Sequence, residues 1–157
     1  MLENQVRCWS LWQPYAGGCV RGEKRIETRG RNINVRGTVY IHAAQSHIAP
    51  KSAYREINAA LGNPARNVYN NPYKFSEGQT GAFGAIVGSV EIVNCVPIEQ
   101  LYGTEYDTPL ERAYGDWTPG RYGIILENPK SLKKAIPAKG HQGFWFAEKS
   151  LVEEEQT

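Results

Sequence analysis

The segment SLWQPYA, Ser10 to Ala16, combines aromatic and amide side chains that could contact a nucleic acid. Trp12 and Tyr15 offer aromatic faces, and stacking a base on such a face contributes about 1–3 kcal/mol to binding. The Gln13 amide both donates and accepts hydrogen bonds, so it can read the edge of a base. The alternative for Trp12 and Tyr15 is a place in the core, which aromatic side chains fill well.

The segment GEKRIETR, Gly22 to Arg29, supplies charge in the form of Lys24, Glu27 and Arg29. Arginine can bind a phosphate through two parallel hydrogen bonds, and lysine is a compact cation. A lysine has an ordinary pKa of about 10.4, so Lys24 becomes a base only if it is desolvated or crowded by cations such as Arg25. We therefore favour a protonated Lys24 that stabilises negative charge on a phosphate or on a developing oxyanion.

Whether Lys24 and Glu27 can act together depends on the local backbone. In a regular strand they would lie on opposite faces, and they meet only if Lys24 belongs to the turn before the strand. Glu27 would share its face with Arg25 and Arg29, so it could instead be a structural ion-pair partner of either. If the protein is an enzyme, Lys24 and Glu27 are the candidate catalytic pair. We then expect Lys24→Ala to abolish turnover or weaken binding and to leave the thermal midpoint nearly unchanged.

Lys139 and Gln142 form a further cluster near the carboxyl end of the chain. They lie in a loop with Gly140 and Gly143, where the backbone can approach a ligand closely. We expect this loop to close the same cleft from the opposite side, which makes Lys139 and Gln142 candidate nucleic-acid contacts. Trp145 is assigned to the core.

Short apolar runs and frequent turn residues indicate the elements that must position these side chains. Alternation in GTVYIHAA and the Val- and Ile-rich run GAFGAIVGSVEIVNCV predict strands, and Gly84 and Gly88 within the second run indicate a bend or bulge. The predicted strands are Val6–Ser10, Arg25–Arg29, Gly37–Ala44, Gly81–Val96, Arg121–Leu126 and Gly143–Phe146. The predicted helices are Pro14–Arg21, Pro50–Leu61 and a helical turn at Pro97–Leu101, with a long loop at 63–80 and a polar loop up to Pro119.

The chain of 157 residues suits one domain, which we place at residues 1–150, followed by a disordered acidic tail at 151–157. Apolar residues make up 41% and charged residues 22%, which excludes disorder as the main state. No membrane span or signal peptide is expected, and the three cysteines favour a cytoplasmic protein with free thiols over a disulfide framework. Neither the cysteines nor the three histidines show metal-ligand spacing, so no metal or cofactor is expected.

Charge is unevenly distributed, although the net charge is only +2. Six basic residues lie between positions 21 and 36: Arg21, Lys24, Arg25, Arg29, Arg31 and Arg36. Such a cluster is compatible with an anionic ligand, and it could also be an ordinary solvated surface.

A series of segments in this order resembles the ASCH (activating signal cointegrator homology) family, especially its bacterial and phage members. They are SLWQPYA, GEKRIETR with a GxKxxExR pattern, RGTVYIHAA, GAIVGSVEIVNCV, YGDWTPGRYGIILENP and KGHQGFW. The resemblance implies an α+β fold built on a small PUA-like β-barrel with flanking short helices, and a cleft lined by the GxKxxExR motif. It also implies RNA binding and, in some members, cleavage of single-stranded RNA or deacylation of acetylated cytidine. The threonine that accompanies the lysine in deacylating members is Glu27 here.

Three functions remain open on the sequence. The first is a binding module for single-stranded RNA or a modified nucleoside, with Trp12, Gln13, Tyr15, Lys24, Glu27 and Arg29 in one cleft. The second is a metal-independent ribonuclease or nucleoside amidohydrolase that uses Lys24 with Glu27. The third is a protein-interaction module.

Overall fold

Residues 1–62 and 81–153 are described by a computed structural model. Within these ranges six strands form one mixed sheet: β1 (Gln5–Gln13), β2 (Ile26–Arg29), β3 (Gly37–Ile48), β4 (Ala85–Pro97), β5 (Tyr122–Pro137) and β6 (Phe144–Glu148). The described residues also form four α-helices that flank the sheet, α1 (Tyr15–Val20), α2 (Lys51–Ala60), α3 (Pro109–Tyr114) and α4 (Ser150–Glu153), with a 3₁₀ helix at Ile98–Leu101. The predicted α+β fold with short flanking helices is confirmed. The predicted loop at 63–80 lies outside the described residues.

The strand order is β2-β5-β4-β3-β1-β6, with β1 parallel to β3 and the other pairs antiparallel. Strands β2 and β6 are the two edges, and no backbone pairing joins them in the described part of the chain. Side chains bring the edge regions together instead. The Arg29 guanidinium of β2 lies 5.3 Å from the centre of the Trp9 ring of β1, and Trp9 stacks on Phe144 of β6 at 4.8 Å. The predicted barrel is therefore a curled sheet whose hydrogen-bond ladder is not closed.

One face of the sheet and α1 enclose the main core. Alternate residues of β1, β3 and β4 point inward, because successive side chains of a strand face opposite sides. They pack against the buried residues of α1 in a cluster that contains Trp9, Leu11, Ala16, Cys19, Val20, Val39, Ile41, Val87, Val90 and Ile92. Burial of this cluster holds α1 against the sheet, and α1 leads directly into the charged segment at 22–29.

Strand β4 bends at Gly88, as the sequence predicts. The registers of β4 with β5 and with β3 both shift beside this residue. A Cβ atom on Gly88 would overlap the Lys130 carbonyl oxygen and would lie 2.8 Å from the Val20 side chain. Glycine at this position therefore lets β5 and α1 approach β4 closely.

Three regions differ most from the predicted elements. Strand β5 continues eleven residues beyond the predicted end at Leu126, and its second half buries Leu132 and Ile136 against Cys8. Helix α3 lies within the predicted polar loop, where Thr108 caps it by accepting a hydrogen bond of 3.1 Å from Glu111 N. At the carboxyl end, α4 covers the start of the expected tail and Val152 is buried, whereas residues 154–157 lie outside the described ranges.

Candidate nucleic-acid interface

Lys24 lies in the turn between α1 and β2. Gly22 has a φ of +81°, the left-handed conformation common after a helix, and the Gly18 carbonyl accepts hydrogen bonds from Glu23 N and Lys24 N. This turn directs the Lys24 side chain inward, where only 1% of the residue is exposed. The Lys24 ammonium donates to the Ile26 carbonyl and lies 3.3 Å from Glu27 Oε1. The two candidate catalytic side chains therefore meet, and they do so because Lys24 precedes the strand.

The surroundings of Lys24 favour its charged form. Burial lowers the pKa of the ammonium, but the negative charges of Glu27 and Glu111 outweigh that effect, and the net pKa lies above its usual value. A lysine in this state holds its proton at neutral pH and cannot be a general base. It can fix a carboxylate in place and contribute positive charge to whatever binds above it.

Glu27 is held by three groups. Its Oε1 atom accepts a hydrogen bond of 3.0 Å from Thr28 N as well as facing Lys24, and its Oε2 atom lies 3.4 Å from Arg29 Nη2. Arg29 is 42% exposed at its side chain. Arg25, the other expected partner of Glu27, faces elsewhere. Its Nε atom lies 4.0 Å from Glu111 Oε1.

Glu111 is a positioning residue that the sequence reasoning missed. Its carboxylate is 2% exposed and accepts hydrogen bonds from Arg25 N at 2.6 Å and from Ile26 N at 3.2 Å. Burial raises the pKa of Glu111, and the two backbone donors and Lys24 only partly oppose this. A signal was available, since Thr108-Pro109-Leu110-Glu111 has the Ser/Thr-x-x-Glu spacing of a helix start with proline in the first turn.

Tyr15 and Glu27 line one open cavity of about 360 Å³. Tyr15 is half-buried at the start of α1, and the Lys24 ammonium lies 6.0 Å from the centre of its ring. Besides Glu27, the lining includes the carboxylates of Glu56 and Asp116. A cavity with three carboxylates suits a ligand that presents hydrogen-bond donors, and it repels phosphate.

Trp12, Lys139 and Gln142 line a different cavity, of about 490 Å³, together with Ser10 and His42. Trp12 is 46% exposed, and both loop residues are exposed. The residues expected in a single cleft thus line separate cavities, because Lys24 lines a third one and Arg29 a fourth.

Gln13, the last residue of β1, is buried, with only 2% of the residue exposed. Its Nε2 atom donates to the Ala82 carbonyl at 2.9 Å, and its Oε1 atom accepts from Gly17 N in the first turn of α1 at 3.0 Å. The Gln13 amide therefore links the first turn of α1 to Ala82. Gln13 does not line the Tyr15–Glu27 cavity or the cavity of Trp12 and Lys139.

Neither residues 1–62 nor residues 81–153 contain a cluster of three His, Cys, Asp or Glu side chains arranged to hold a metal ion. Cys8, Cys19 and Cys95 are free and buried. None of the helices that the structure describes is long and apolar enough to cross a membrane.

Comparison with known proteins agrees with the sequence resemblance. Residues 10–135 match the sequence model of the ASCH domain. Activating signal cointegrator 1 of Mus musculus and that of Homo sapiens are each 25% identical to this chain over 144 residues, which cover 88% of the chain and 22% of each relative. The chain thus spans about a fifth of the length of these curated relatives.

The crystal structure of ASCH from Zymomonas mobilis shares the fold, with a TM-score of 0.53 and 14% identity over 97% of this chain and 94% of that one. The resemblance predicted from the sequence segments is confirmed, and the chain belongs to the ASCH domain family.

Proposed function

We propose that this ASCH domain binds single-stranded RNA, or a modified nucleobase within it, at the cavity lined by Tyr15 and Glu27. One observation carries the proposal: the Glu27 carboxylate is fixed in the cavity wall by the buried ammonium of Lys24. A fixed carboxylate accepts hydrogen bonds from exocyclic amino groups such as N4 of cytosine. The half-buried Tyr15 ring supplies an aromatic face beside it.

Phosphates of the bound strand would lie outside this cavity, because its lining is acidic. Arg29 is next to Glu27 and partly exposed, and it shares a neighbouring groove with Arg31. These two guanidinium groups suit the RNA backbone, since arginine binds phosphate oxygens through paired hydrogen bonds. The base and the backbone of one nucleotide would then contact opposite sides of the Glu27–Arg29 ion pair.

The test is fluorescence anisotropy with a labelled single-stranded RNA in chelator, over a series of salt concentrations. We expect Glu27→Gln to weaken binding about tenfold, because an amide presents only one acceptor to the base and no charge. Arg29→Ala should reduce the salt dependence, whose slope is about −0.7 per phosphate contact for single strands. Lys133→Ala removes an exposed cation from β5 and serves as the charge-matched control. Wild-type RNA binding that neither site variant changes would contradict the proposed site, and a wild type that does not bind RNA would favour a protein-interaction module.

A second candidate function is hydrolysis of RNA or of acetylated cytidine at the same cavity. The observation that favours it is the pairing of a carboxylate with a buried ammonium, which can combine a general base with a positive charge for an oxyanion. Incubation with RNA and with acetylated cytidine in chelator tests this candidate. Product that forms with the wild type and is absent with Glu27→Gln would establish the enzyme, and binding without product would leave the binding module.

The remaining proposals concern domain organisation and location. We propose that residues 1–150 act as one domain and that the protein is cytoplasmic. Three buried free thiols support a reducing compartment.

A further inference from the structure

The cavity lined by Trp12 and Lys139 is separate from the one that Glu27 lines, and its lining has a different charge. Its lining includes Ser10, Trp12, His42, Lys139, His141 and Gln142. None of these lining residues is acidic, whereas the Tyr15–Glu27 cavity has three carboxylates. Its volume of about 490 Å³ is within the range of about 300–1,000 Å³ typical of small-molecule sites.

A hydrogen-bond network fixes the floor of this cavity. His42 is 2% exposed, and its Nε2 atom donates to the Ala138 carbonyl at 2.7 Å, because a carbonyl oxygen can only accept. Its Nδ1 atom is therefore the acceptor for the Ser10 hydroxyl, 3.0 Å away. The indole Nε1 of Trp145 donates to the Ser10 oxygen at 2.9 Å.

This network leaves one acceptor position on Ser10. A serine hydroxyl has one proton and two lone pairs. The Ser10 hydroxyl donates its proton in the hydrogen bond to His42, and one of its lone pairs accepts the hydrogen bond from Trp145. The second lone pair has no partner among the described residues. The half-buried Ser10 oxygen can therefore accept a hydrogen bond from an amino group of a ligand.

Glycine at position 140 fixes the loop that forms the opposite wall. Gly140 has a φ of +68°, and a Cβ atom there would come within 2.6 Å of His42 Nδ1. The Gly140 backbone consequently packs against the His42 ring more closely than a residue with a side chain would allow. This close packing places Lys139 and Gln142, one residue before and two residues after the glycine, at the rim of the cavity.

The rim combines an aromatic face, a cation and an amide. Trp12, the penultimate residue of β1, is nearly half exposed, whereas Leu11 before it is buried. His141 is exposed and packs edge-on against Trp145 at 5.6 Å between ring centres. A planar ring that bears an amino group and an adjacent phosphate would satisfy Trp12, Ser10 and Lys139 together.

We propose that the Ser10–His42 cavity is a second nucleotide subsite, in which a base stacks on Trp12, its amino group donates to Ser10, and its phosphate binds Lys139. The inference rests on the proposed function, because it assigns a second nucleotide of the same single strand to this cavity. Trp12 and Tyr15 are three residues apart, so their Cα atoms lie within about 11 Å of each other. One short single strand can therefore reach both side chains.

The experiment measures two probes by isothermal titration calorimetry: cytidine monophosphate alone, and a single-stranded RNA long enough to reach both cavities. We expect Trp12→Ala and Lys139→Ala each to weaken both probes about tenfold, because stacking and phosphate pairing are lost. Uridine monophosphate, which lacks the amino group, should bind more weakly than cytidine monophosphate. Trp12→Phe keeps an aromatic face and should retain most of the affinity, which separates stacking from a change in folding.

Matched controls are Phe146→Ala, which removes another exposed aromatic ring, and Lys133→Ala. If RNA binding falls with Glu27→Gln but not with Trp12→Ala or Lys139→Ala, the second subsite is wrong and the proposed function stands. If cytidine monophosphate binding depends on Trp12 while Glu27→Gln has no effect on RNA, the second subsite stands and the proposed Glu27 site is wrong. If Lys133→Ala weakens binding as much as Lys139→Ala, the attraction is general and the subsite is overturned.

Discussion

Glu111 holds the backbone of Arg25 from a distance of 86 residues along the chain, through a hydrogen bond of 2.6 Å from Arg25 N to Glu111 Oε1. The same carboxylate also accepts a hydrogen bond from Ile26 N. Because Lys24 immediately precedes these two residues, α3 sets the conformation of the segment that carries the buried ammonium. The fixed position of Glu27 therefore depends on a helix outside the GxKxxExR motif.

Glu111→Ala should destabilise the fold by about 2–5 kcal/mol, because two backbone donors lose their acceptor in a buried region. Glu111→Gln keeps one acceptor oxygen and should cost less. Urea denaturation followed by circular dichroism measures both variants, with Glu105→Gln as an exposed control in the preceding loop. Equal midpoints for Glu111→Ala and the wild type would show that water replaces the carboxylate and that α3 does not position the motif.

Lys24→Met should also be strongly destabilising, by about 3–5 kcal/mol, because it leaves the Glu27 carboxylate without its buried partner. This expectation replaces the sequence-based one, in which Lys24→Ala left the thermal midpoint unchanged. The side chain proves to be fully buried. Adding Glu27→Gln to Lys24→Met should recover part of the loss, since the unpaired charge is removed. If the double variant is as unstable as the sum of the two single variants, the pair is not energetically coupled.

The elements that the sequence predicted are those with strong local patterns. Alternating apolar residues predicted β3, and the run rich in Val and Ile predicted β4. The second half of β5 was missed because Asn128-Pro129 and the lysines that follow resemble a loop. Its strand conformation comes from pairing with β4, including Ile136 opposite Ile86.

Within the candidate site, too, local features could be predicted from the sequence and long-range contacts could not. The meeting of Lys24 and Glu27 could be stated from sequence only as a condition, since it depends on where a turn ends and a strand begins. The burial of Gln13 could not be predicted, because its donor group bonds to Ala82, 69 residues away. The wall of the Trp12–Lys139 cavity could not be predicted either, because it depends on the long-range approach of Gly140 to His42.

Gly88→Ala tests the close approach of β4, β5 and α1. The added methyl group would overlap the Lys130 carbonyl, so the strands must separate, and we expect a loss of at least about 1–3 kcal/mol. Gly30→Ala is the matched control, because the nearest atom to its Cβ, Arg121 Nη1, is 3.9 Å away. Thermal unfolding of both variants provides the comparison. A Gly88→Ala midpoint equal to that of Gly30→Ala would mean that the bend accommodates a side chain.

His42 should make the stability of the protein depend on pH between neutrality and mild acid. Burial lowers the pKa of His42 below its ordinary value of about 6.5, the bond to the Ala138 carbonyl opposes this shift, and His141 adds to it. The unfolded chain therefore binds a proton at this residue at a higher pH than the folded protein does. Because stability rises with pH wherever the unfolded state binds more protons, the free energy of unfolding should fall as the pH drops below about 6.5.

Denaturation at several pH values between 7.5 and 5 measures this effect in the wild type and in His42→Gln, which removes the titration. The difference in unfolding free energy between the two proteins should be constant above pH 7 and should shrink below 6.5, as the wild type loses the contribution of neutral His42. All other titrating groups are shared by both proteins, so they cancel to first order. A difference that stays constant down to pH 5 would show that His42 titrates alike in both states, and that burial does not hold the ring neutral.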